Sequence, residues 1–143
     1  MTSWADFEGA DPELAAFGRV RLDGWVAYLA TVDGHGAPRV HPVSPWFADG
    51  GLFIRMYPNS PKVADLERDP RYALHSPVDD HDGTAGEFAM RGRAALIVDP
   101  RRLSAANEGK AATERYVVLE FDVEDVIATT YDGDETARRR WRA

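Results

Sequence analysis

Arg39-Val40-His41-Pro42-Val43-Ser44-Pro45, then Leu52-Phe53-Ile54-Arg55-Met56, then Asn59-Ser60-Pro61-Lys62-Val63-Ala64-Asp65-Leu66: this stretch decides how the chain folds. It reads as strand, turn, strand and helix. Asp49-Gly50-Gly51 supplies the turn between the two strands, because these residue types tolerate positive φ. Ser60 stands at an N-cap, Pro61 suits the first helical turn, and Pro70 ends the short helix. Two strands therefore finish near a basic, hydroxyl-rich helix start. A helix N-terminus exposes free N–H groups and a partial positive charge, which together attract phosphate. Ser60 either caps the helix or gives its hydroxyl to a phosphate oxygen, and Lys62 adds a full positive charge. Taken alone, Ser-Pro is more simply an ordinary cap; the strands in front of it give the phosphate reading its weight.

Upstream, Trp25 to Val32 is rich in aromatic and β-branched residues and predicts a strand that is apolar on both faces, as for burial on two sides. Asp33-Gly34-His35-Gly36 predicts a hairpin back into a return strand from Pro38 to Ser44. Pro42 and Pro45 cannot donate to a ladder, so they demand an edge, a bulge or a strand end. Further upstream, Asp11-Pro12-Glu13 starts a helix whose Leu14, Phe17 and Val20 recur at helical spacing, and Asp23-Gly24 breaks it. Downstream, Tyr72 to His75 is a brief strand and Ser76 to Gly86 an acidic loop. Glu87 to Val98 is one long strand or two joined across Gly92. Asp99-Pro100 opens a helix through about Glu108, and Tyr116 to Val123 and Val126 to Tyr131 read as strands. Short strands with a few interleaved helices make a mainly β (α+β) class, an antiparallel barrel with helices on its flank.

At 143 residues the chain fits a single domain spanning 1–143, with 1–10 and 132–143 expected to be flexible or clasping ends. The hydrophobic share of 44% suits a packed core. Cysteine is absent, which excludes disulfides and thiolate metal sites and permits a cytoplasmic home. Met1 to Asp11 lacks the apolar run of a signal peptide, and no apolar stretch approaches the roughly 18 residues of a membrane span. A soluble protein with no membrane partner is expected. The net charge of −7 opposes general nucleic-acid binding. The basic run Arg138-Arg139-Arg140-Trp141-Arg142 is better explained as a solvated end, or a clasp on acidic surface of the chain or its dimer mate, than as a polyanion site.

Three other positions invite chemistry. Arg39, isolated among apolar neighbours, is a surface arginine or a bidentate phosphate ligand. His41 is a general base or, more simply, a packed strand residue. Asp79-Asp80-His81-Asp82 could offer metal ligands, but it lacks calcium-loop spacing and a second histidine, so a solvated loop and no metal are expected. Glu87 begins its strand, and Arg91-Gly92-Arg93 faces solvent or a dimer surface.

The order of these elements, densest between Tyr28 and His75, resembles the flavin-binding split β-barrel proteins related to pyridoxamine 5′-phosphate oxidase. The resemblance implies a homodimer with the cofactor at the subunit interface, FMN by default and the deazaflavin F420 as the alternative. It implies hydride transfer to or from a small molecule, so a flavin- or deazaflavin-dependent oxidoreductase. A non-catalytic flavin- or haem-binding protein is the rival outside enzymes. In such proteins an arginine opening the return strand contacts the flavin phosphate, and the backbone after it lies along the ring. Carried over, the cofactor-binding residues are Arg39, Val40, His41, Pro42, Val43 and Ser44, then Ile54, Arg55 and Met56, then Ser60, Pro61 and Lys62; catalytic residues are not assigned. The resemblance would also bring Glu87 near the ring edge. Two departures stand out: the Arg-Lys pair common in the oxidase is Pro61-Lys62 here, and its C-terminal Arg-Leu-His element has no counterpart.

Overall fold

The computed structural model describes residues 1–111 and 113–143. Helix α1 (Trp4–Ala10) and helix α2 (Pro12–Leu22) precede a hairpin of β1 (Ala27–Val32) and β2 (Pro38–Val43). Strands β3 (Trp46–Ala48) and β4 (Gly51–Met56) form a second hairpin, followed by α3 (Pro61–Arg68), β5 (Arg71–His75) and β6 (Glu87–Leu96). Helix α4 (Pro100–Ala106), β7 (Val117–Phe121), β8 (Asp125–Asp132) and β9 (Glu135–Arg142) complete the order. The predicted strands and helices are present within a residue or two; α1, β3 and β9 are additional.

All pairings are antiparallel, and β6 belongs to two sheets. Its first half lies between β5 and β8, in a sheet ordered β2-β1-β5-β6-β8-β9. Its last residues, Ala94 to Leu96, pair with β7, which leads to β4 and β3. The fold is a split β-barrel with flanking helices. The crossover falls at Gly92, where a Cβ would sit 2.5 Å from the Asp122 carbonyl oxygen. Glu87 to Leu96 is thus one strand that changes partner where only glycine admits the neighbouring backbone.

The interior is filled from both sheets by Leu29, Ile54, Leu74, Phe88, Met90 and Phe121, and closed by Leu14 and Leu22 of α2 and by Val63 and Leu66 of α3. Asp11 accepts from the Leu14 amide and caps α2 beside Pro12, as its sequence predicts.

Both chain ends are ordered elements. Ser3 and Asp6 form a capping box that starts α1, which buries Trp4 and Phe7 completely. Each such aromatic contributes about 1.5–3 kcal/mol of burial, enough to hold a seven-residue helix that would not form alone. At the other end β9 pairs with β8. Its Trp141 packs on Phe7 at 4.9 Å between ring centroids. Arg139 binds Asp11 at 2.7 Å and Arg140 binds Asp125 at 2.6 Å. The tail clasps acidic surface of its own chain.

β1 departs from the expected two-sided burial. Ala27 and Leu29 point into the core, but Tyr28 on the other face is exposed. Among the described residues no helix or strand covers the outer face of this sheet. Tyr28, Ala30, Val40, Ala73, Ala89 and Ile127 there line an apolar hollow of ≈ 230 Å³.

Candidate functional site

A cleft of ≈ 610 Å³ opens where β2, β3, β4 and the start of α3 converge, within the range typical of small-molecule sites. Pro42, Val43, Ser44 and Pro45 come from the end of β2, the edge strand its prolines require. Trp46 enters from β3, Arg55, Met56 and Tyr57 from the end of β4, Ser60 and Lys62 from the start of α3, and Tyr116 from the approach to β7. Among the described residues no carboxylate lines it.

Ser60 is the N-cap of α3, but its hydroxyl makes no capping hydrogen bond. The Val63 amide is satisfied by the Ser60 carbonyl at 3.1 Å instead. Pro61 has no N–H, so the Lys62 amide is the first-turn donor left without an intrahelical acceptor. The helix start thus offers an unspent hydroxyl, an ammonium and the positive end of a helix, a donor set suited to phosphate.

Part of the lining is aromatic. The Trp46 indole N–H donates to the Ala106 carbonyl at 2.8 Å, tying β3 to the end of α4. The Arg55 guanidinium carbon lies 4.8 Å from the Trp46 ring centroid and 5.9 Å from that of Tyr116. Tyr57 and Tyr116 stack at 5.2 Å. The Tyr57 phenol accepts from Arg115, which together with Tyr116 holds its pKa below the usual tyrosine value.

Of the twelve residues carried over from the resemblance, the cleft gathers Pro42, Val43, Ser44, Arg55, Met56, Ser60 and Lys62. Ile54 is buried in the core, Val40 lies on the outer sheet face, and Pro61 is exposed at the helix start. Arg39 turns its fork to Asp65, with Nε to Oδ2 at 3.0 Å and Nη2 to Oδ1 at 2.8 Å. Thr31 also donates to Asp65, at 2.8 Å. With its one proton so placed, Thr31 Oγ1 must accept from His41 Nε2 at 3.1 Å. Burial, then the charge of Lys62, lowers the His41 pKa, with Asp65 opposing. His41 is therefore a neutral, hydrogen-bonded strand residue behind the cleft. Glu87 is bound by Tyr131 and lies 3.2 Å from His75, away from the cleft lining.

Trp46, Tyr57 and Tyr116 are cleft residues that the sequence reading did not single out. Trp46 begins β3, Tyr57 follows β4 and Tyr116 precedes β7, and an aromatic residue at a strand end is the one signal available. The acidic loop has structural work: Asp79 pairs with the buried Arg21 at 2.8 Å, and Asp80 accepts from the Thr84 amide at 3.1 Å. Among the described residues no cluster of three or more His, Cys, Asp or Glu could hold a metal, and no helix is long and apolar enough to cross a membrane.

Comparison with solved structures finds the same fold at low identity. A pyridoxamine 5′-phosphate oxidase-related, FMN-binding protein from Nostoc punctiforme is 15% identical, with a TM-score of 0.69 over 95% of this chain and 90% of its own. An F420 reductase is 18% identical, with a TM-score of 0.57 over 76% and 94%. A haem storage protein from Vibrio cholerae is 16% identical, with a TM-score of 0.57 over 80% and 89%. No curated protein matches the chain in sequence. The family model described as pyridoxamine 5′-phosphate oxidase matches residues 18–130, from within α2 to β8 and so across every cleft residue. The chain belongs to the pyridoxamine 5′-phosphate oxidase family.

Proposed function

We propose that this protein is an FMN-binding oxidoreductase that transfers hydride to or from a small molecule. One observation carries the reading: a cleft free of carboxylates, in a chain of net charge −7, ends at the unspent hydroxyl of Ser60 and the ammonium of Lys62. Those two groups would hold the cofactor phosphate. The backbone of residues 39–44 and the β4 segment Ile54–Met56 would flank the ring. Arg39, its fork held by Asp65, would add the surplus charge of a cluster in which two guanidinium groups, Arg39 and Arg68, share the Asp65 carboxylate. A bound flavin supplies the hydride chemistry itself. The chain's part is to anchor, orient and shield it, consistent with a neutral His41 and with no nucleophile–base pair among the cleft residues.

A second copy of the chain would cover the apolar outer face carrying Tyr28, Val40 and Ile127 and complete the site from the other side. Cytoplasmic residence goes with this reading. Titration of the purified protein with FMN, F420 and haem, followed by visible absorption, is the deciding experiment. Micromolar or tighter FMN binding with reduction by a hydride donor is expected. Saturable binding of haem alone, or of F420 alone, would replace the reading with the corresponding one.

A further inference from the structure

The arginines of this acidic chain are mostly matched to carboxylates: Arg19 to Glu8, Arg21 to Asp79, Arg39 and Arg68 to Asp65, Arg102 to Glu120. Arg55 is not. Among the described residues its guanidinium has no carboxylate and no hydrogen-bond partner, although it stands in the wall of the principal cleft. Contacts with the rings of Trp46 and Tyr116 hold it there. Trp46 is itself fixed by the Ala106 carbonyl. Ring contacts engage the guanidinium as a cation and leave its N–H donors without a protein acceptor. A positioned, unspent guanidinium fork matches the two oxygens of a carboxylate or phosphate.

Its location sharpens the point. Arg55 borders the ≈ 610 Å³ cleft and also an adjoining hollow of ≈ 360 Å³ lined by Trp46, Asn107, Glu108 and Lys110, and Glu108 makes no ion pair with it. Ser60 and Lys62, the other polar anchors, belong to α3, whereas Arg55 is set among β3, β4 and the approach to β7. The cleft thus carries two cations on different elements, with the rings of Trp46 and Tyr116 beside Arg55.

We propose that Arg55 is the receptor for the anionic group of a planar aromatic substrate, a carboxylate in the first instance, whose ring lies against those aromatic side chains. Ser60 and Lys62 serve a different anion, the cofactor phosphate. The assignment rests on the cofactor reading for the identity of its neighbour, not for its own chemistry.

The test compares benzoate and nicotinate with benzamide and nicotinamide by calorimetric titration, each with and without FMN present. The proteins are wild type, Arg55→Ala, Arg55→Lys and Lys62→Ala. Wild type should bind each acid at least about tenfold more tightly than its amide, as a charged hydrogen-bonded pair requires. Arg55→Ala should lose that preference, Arg55→Lys keep part of it, and Lys62→Ala keep it all. FMN affinity, measured separately, should fall in Lys62→Ala. Equal binding of acid and amide by wild type overturns the proposal, as does a preference that survives Arg55→Ala. If wild type fails to bind FMN, the cofactor reading falls, and the titrations without FMN still decide the role of Arg55.

Discussion

Arg39 grips the buried carboxylate of Asp65 with two hydrogen bonds, at 3.0 and 2.8 Å, and so ties β2 to α3 directly behind the cleft. Thr31 and Arg68 complete the shell around Asp65. Burial pushes the Asp65 pKa up, but the hydrogen bonds from Arg39, Thr31 and Arg68 outweigh it and hold the carboxyl below its ordinary 3.8. The cluster sets the position of Lys62 relative to the end of β2. Asp65→Asn should lower stability by about 2–4 kcal/mol, because charged hydrogen bonds are lost at a buried site. Urea unfolding at pH 7 measures this. A loss under 1 kcal/mol would show that the two arginine heads, both able to reach water, were held for nothing.

Asp125 provides a defined acid-sensitive contact. Hydrogen bonding from Arg140 is the largest cause of its depressed pKa; burial opposes, Arg91 adds to the shift, and the value falls from 3.8 to about 2. A folded pKa below the unfolded one gives stability that is present above about pH 4 and lost as pH falls towards about 2. The full shift corresponds to roughly 2 kcal/mol, and the largely solvated arginine partners reduce it to about 1 kcal/mol. Asp125→Asn should therefore be less stable than wild type by about that amount at pH 7 and indistinguishable from it near pH 2. A gap that stays constant across chemical denaturations at the two pH values contradicts the assignment.

The strand-turn-strand-helix run from Trp25 to Pro70 was legible because each turn carries its own chemistry: Gly36 and Gly50 adopt positive φ where the sequence needs it. The switch of β6 between sheets was only half legible, since glycine marks a close approach without naming the backbone that makes it. Helix α1 was missed although Ser3-Trp4-Ala5-Asp6 spells a capping box, because a segment this short is stabilised by distant partners, Phe47 for Trp4 and Trp141 for Phe7. In the cleft, Ser60 and Lys62 were readable from helix-start chemistry. The engagement of Arg39 with Asp65 was not, since it joins residues 26 apart through tertiary packing. The aromatic wall was hidden for the same reason: Tyr57 and Tyr116 meet only because β4 pairs with β7.

Lys62 is the strongest single contributor to the proposed phosphate site. Lys62→Ala should weaken FMN binding by about 1.5–3 kcal/mol, the range of charged hydrogen bonds, while leaving the thermal midpoint nearly unchanged because among the described residues the side chain holds no ion pair. Ser60→Ala should cost less, and its effect should fall on binding rather than on helix stability, since the hydroxyl caps nothing. Fluorescence quenching of FMN on titration measures both. Wild-type affinity in Lys62→Ala would remove the helix start from the site.

Dimerisation is the expected fate of the outer sheet face. Val40 is 68% and Tyr28 48% exposed there, beside an apolar hollow, and small domains rarely leave such contiguous apolar surface in water. Tyr28→Glu would put a charge into that surface. Sedimentation should find wild type as a dimer at micromolar concentration and Tyr28→Glu shifted toward monomer, with FMN affinity falling in parallel. A wild-type monomer with FMN bound ends this proposal.

Family membership does not make the chain an efficient pyridoxamine 5′-phosphate oxidase. That substrate carries its own phosphate, which needs cationic donors beyond those holding the flavin. Lys62 is proposed to serve the cofactor, and the Arg39 fork is spent on Asp65. The C-terminal arginines offer no substitute in the cleft: Arg139 is engaged with Asp11 and Glu13 and Arg140 with Asp125, and Arg138 and Arg142 stand on β9, which contributes no residue to the cleft lining. Arg55 remains, one guanidinium set against aromatic rings, which suits a single carboxylate on a flat ring better than a dianion that requires several donors. A phosphate left short of its donors loses several kcal/mol, and thus orders of magnitude in specificity. The FMN-loaded protein should therefore show kcat/KM for pyridoxamine 5′-phosphate below the usual enzyme range of roughly 10⁴–10⁸ M⁻¹s⁻¹. Steady-state assays provide the measurement, and a value inside that range would mean that a second phosphate site exists where this arrangement of charges leaves no room for one.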